Sequence, residues 1–94
     1  MKRFNRCVIE EMQKYLTELN CARQKERIIE KLNAFLDGVK YALGYHNLIF
    51  QPKQTSTGKF VIIIFEYQDL KDDGETVKYL GIIYADNVSE AKEG

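Results

Sequence analysis

The chain has 94 residues, 45% hydrophobic and 30% charged, which is enough apolar content for one folding unit with its own core and too little length for several. Fourteen basic groups balance fourteen acidic ones, so no net field draws the chain onto nucleic acid or anionic lipid. One proline, six glycines, six tyrosines and five phenylalanines exclude collagen-like, low-complexity and disordered classes.

A chain this short buries only about 60–65% of its unfolded surface, so added area from a second copy or a larger protein would raise its stability. The apolar run at Val61–Phe65 falls far short of the roughly 20 residues that span a bilayer. The start, Met1 to Arg6, is basic and leads into an amphipathic segment, with no signal-peptide pattern; the expected location is cytoplasmic. Charge is uneven along the chain. Residues 1–47 carry nine Lys or Arg against six Asp or Glu, and residues 48–94 carry five against eight.

Phe4, Val8, Met12, Tyr15, Leu16 and Leu19 recur every three or four residues and predict a helix over about 5–20. Asn5 is placed to cap it, with Glu10 and Glu11 near its positive end. Ile28, Ile29, Leu32, Phe35, Leu36, Val39, Ala42 and Leu43 form a second stripe over about 22–43, closed by Gly44 as a left-handed cap. The polar run from Asn20 to Arg27 interrupts the phase. It predicts a turn between two packed helices rather than one rod of about 60 Å. Gly38 marks either a fraying point or a close approach of another backbone.

Strands are expected at about 46–51, 59–67 and 76–84, with a polar loop at Pro52–Gly58 and a turn at Asp69–Gly74. Residues 86–94 read as a short helix or an acidic tail. The expected fold is therefore α+β in a single domain: two N-terminal helices, then a three-stranded antiparallel meander, with the helices packed on the sheet.

The middle strand is apolar on both faces, with Phe60, Ile62 and Ile64 on one and Val61, Ile63, Phe65 and Tyr67 on the other. Strict alternation in the third strand puts Leu80, Ile82 and Tyr84 on one side and Val77, Tyr79 and Ile83 on the other. Such a sheet needs cover on both faces. Either both helices take one face and a partner takes the other, or each helix takes one; short helix connections favour the first.

Chemical motifs are weak throughout. Cys7, Cys21 and His46 are too few and too widely spaced for a zinc site, and the thiols are expected reduced and at least half-buried. A disulfide between two copies is the sharper reading of the cysteines. Ser56 lacks a glycine-framed setting, and Thr55–Lys59 has the wrong order for a phosphate loop. Asp69, Asp72, Asp73 and Glu75 fit turn chemistry better than a calcium loop. No metal and no cofactor is expected. Element order alone is similar to double-stranded-RNA-binding modules and to ribosome-dependent RNase toxins, but the acidic 86–94 segment carries none of their basic motifs, so no family follows.

The leading expectation is a non-catalytic protein-protein interaction module. It would form a homodimer or bind a larger protein through an apolar sheet face, with anchors drawn from Phe60, Ile62, Ile64, Phe65, Tyr67, Tyr79 and Tyr84. Small size without evident chemistry also fits a phage or mobile-element accessory protein that inhibits a host enzyme. A second reading is nucleic-acid binding through Lys2, Arg3, Arg6, Arg23, Lys25 and Arg27. A third is a ligand or catalytic pocket near His46, walled by Tyr41 or Tyr45.

Overall fold

Amphipathic stripes and β-branched runs resolve into six elements in a computed structural model that describes residues 5–44, 46–70 and 74–90. They are α1 (Arg6–Cys21), α2 (Glu26–Leu43), β1 (Leu48–Gln54), β2 (Phe60–Leu70), β3 (Gly74–Ile83) and β4 (Val88–Glu90). The strands form an antiparallel meander in the order β1-β2-β3-β4.

The sheet thus has four strands where three were expected. β4 lies in the segment expected to be a helix or tail, and its three residues pair Val88, Ser89 and Glu90 with Ile83, Ile82 and Gly81. A tight reversal creates it: the Tyr84 amide donates to the Asn87 carbonyl at 2.8 Å, and Val88 packs against the core. Pro52 lies within β1 rather than in the loop. β1 is an edge strand, where a residue without an amide N–H is tolerated. β2 and β3 extend to Leu70 and from Gly74, narrowing the expected turn; its centre, 71–73, lies outside the described residues.

Asn5 does cap α1, its Oδ1 accepting from the Cys7 amide at 2.8 Å. The first turn holds no acid; Glu10 instead accepts from Arg6 at 3.1 Å in an exposed pair of little energetic weight. Asn5→Ala is expected to lower the unfolding free energy by about 1 kcal/mol, read from a urea titration. At the other end the chain turns after Cys21, so two helices form and not a rod. The Lys25 ammonium donates to the carbonyls of Leu19 and Ala22 at 2.7 and 2.9 Å, satisfying groups that the end of α1 leaves open. It also stands 5.6 Å from the centre of the Phe60 ring. Asn20 accepts from the Phe60 amide at 2.7 Å, pinning the helical turn to the start of β2.

Gly44 takes the left-handed cap with φ 71°. Gly38 fits neither expected role: the helix continues through it, and a Cβ added there would meet nothing within 4 Å. Gly38→Ala is accordingly expected to stabilise the protein by about 0.5–1 kcal/mol, visible as a raised melting temperature.

Met12, Leu16 and Leu19 of α1 and Leu32 and Leu36 of α2 share one core with Leu48, Ile62, Ile64 and Ile83 of the sheet. α1 seats on β2 and β3, and α2 packs on α1, with the Tyr15 and Phe35 rings 5.5 Å apart. Both helices therefore lie on the same side of the sheet.

Candidate functional site

The strand register sorts the sheet residues between its two faces. Pairing Phe50 with Ile64 and Ile62 with Ile83 puts these four on the helix side. The intervening positions pair Lys53 with Val61, Gln51 with Ile63, Ile49 with Phe65, Ile63 with Ile82 and Tyr67 with Val77, all on the opposite side. Both helices pack across the sheet from these residues, against the side that carries Ile62, Ile64 and Ile83.

A β-bulge shapes this open face. Ile64 is opposite Gly81 but Phe65 is opposite Tyr79, so Leu80 is left over and the alternation of β3 inverts. Ile83 consequently lies in the core, fully buried, and Leu80 packs against the core as well. Tyr79 and Val77 fall on the open side with Ile82. This corrects the strict alternation, which grouped Leu80 with Ile82 and Ile83 with Tyr79. The inversion brings the Tyr79 ring against Phe65, centroids 6.1 Å apart in an edge-on arrangement.

The result is an apolar surface with an aromatic pair at its middle. Tyr67, Tyr79 and Val77 are 39%, 40% and 50% exposed, and Ile49, Ile63, Phe65 and Ile82 are partly buried. Val61 is buried at one end of the row. Of the seven expected anchors, Phe65, Tyr67 and Tyr79 are gathered here. Tyr84, one residue past β3 and partly buried, continues the alternation from Ile82. Phe60, Ile62 and Ile64 belong to the helix side; Ile62 and Ile64 have no exposure at all and so are not available as anchors. Ile49, Val61, Ile63, Val77 and Ile82 are open-face residues missing from that set. Alternation within β1, β2 and β3 could have found the first four, whereas Ile82 is displaced by the bulge.

The basic residues do not form one surface. Arg6 begins α1 and pairs with Glu10, while Arg23 and Arg27 flank the turn beyond its far end, about 25 Å away at 1.5 Å per residue. Lys25 is committed to the α1 terminus, and Lys2 and Arg3 lie outside the described residues. Lys25→Ala should destabilise the fold by about 1–2 kcal/mol in a urea titration, a structural loss for a residue read as a phosphate contact.

His46 is exposed between α2 and β1, with the Tyr41 ring edge-on at 6.4 Å. Tyr41 is itself 84% exposed and so does not wall in a pocket; Tyr45 lies outside the described residues. Cys7 and Cys21 are free and exposed at opposite ends of α1, contrary to the expected burial. Cys7 lies about 140° around the helix from Met12, and Cys21 about 160° from Leu19, so both point away from the core. Among the described residues, no group of three His, Cys, Asp or Glu side chains is placed to hold a metal, and no helix is long and apolar enough to cross a membrane. Asp69 and Glu75 are register partners in β2 and β3; Asp72 and Asp73 lie outside the described residues.

No protein-family model, curated protein or solved structure matches the chain.

Proposed function

We propose that this protein is a non-catalytic protein-binding module whose working surface is the open face of the sheet. The observation that carries the reading is the placement of both helices on one side, which leaves Phe65, Tyr67, Val77 and Tyr79 on the side of the sheet across from them. Contiguous apolar surface of this kind, centred on an aromatic pair, is what protein interfaces use for anchorage. Polar and charged residues ring it: Gln51 and Lys53 on β1 and Ser89 on β4 share the side but not the centre. An apolar middle inside a polar rim is the usual anatomy of a protein interface.

Hydroxyl-radical footprinting in the native cell tests the reading, with the purified chain at high dilution as reference. Tyr67 and Tyr79 are expected to be protected in the cell relative to the diluted chain, while Tyr41, at 84% exposure, labels equally in both. Equal labelling of all three tyrosines in both settings would overturn the assignment.

A further inference from the structure

We draw no further inference here: the strongest candidate, the apolar sheet face around Phe65, Tyr67 and Tyr79 across from both helices, belongs to the surface already described, and nothing in the structure shows what covers it.

Discussion

Phe65→Lys is expected to abolish association while leaving the monomer folded. Phe65 occupies the midpoint of the open face, in edge contact with Tyr79, and it is not a member of the core beneath the helices. A lysine there can extend into water in the isolated chain. At a protein interface it would bury an ammonium against apolar surface. Central aromatic anchors commonly contribute about 2–4 kcal/mol to binding when truncated. The dissociation constant should therefore rise by at least about 30-fold. Analytical ultracentrifugation reads the association, and a far-ultraviolet circular dichroism melt shows that the fold persists. A variant that associates as tightly as the wild-type chain would place the interface elsewhere.

Leu16→Ala should do the opposite, with a large loss of stability and no direct change to the open face. Leu16 is fully buried where α1 seats on β2 and β3, among Met12, Leu19, Ile62 and Ile64. Truncating a core leucine costs about 2–5 kcal/mol through lost transfer free energy and the cavity left behind. Small domains have total stabilities of about 5–15 kcal/mol, so the variant should approach the limit of folding. Urea unfolding at low protein concentration isolates this loss from any contribution of dimer formation. A change below about 1 kcal/mol would mean that α1 does not seal this side of the sheet. Together the two variants separate the face that holds the monomer together from the face that meets a partner.

Much of this division is legible in the sequence. The spacing of Met12, Leu16 and Leu19, and of Leu32, Leu36 and Val39, marks the buried stripes of both helices, and Gly44 marks the end of the second. The unbroken apolar run in β2 shows that both faces of the sheet need cover, and the short helical connection favours one-sided helices. The pattern in β3 is harder to read. A single unpaired residue, Leu80, inverts its alternation, and nothing in the local composition announces a bulge that only the register with β2 reveals. β4 escapes for a related reason. Three residues, two of them polar, carry no periodicity, and their pairing depends on the reversal at Tyr84–Asn87. Lys25 reads as one member of a basic cluster because charge is visible in a sequence, whereas carbonyls left open at a helix end are not. The exposure of both cysteines follows from helical phase once α1 is known to contain both.

The most direct measurement is NMR on the isotope-labelled chain, first in a dilution series and then on addition of lysate from the native cell. In whichever setting the chain meets its partner, the signals expected to move are those of Ile63, Phe65, Tyr67, Val77, Tyr79 and Ile82, while Leu16, Leu32 and Tyr41 stay fixed. Shifts confined to the outer surfaces of the helices, or spectra unchanged in both settings, would contradict a sheet sealed on one side by its own helices and on the other by a protein partner.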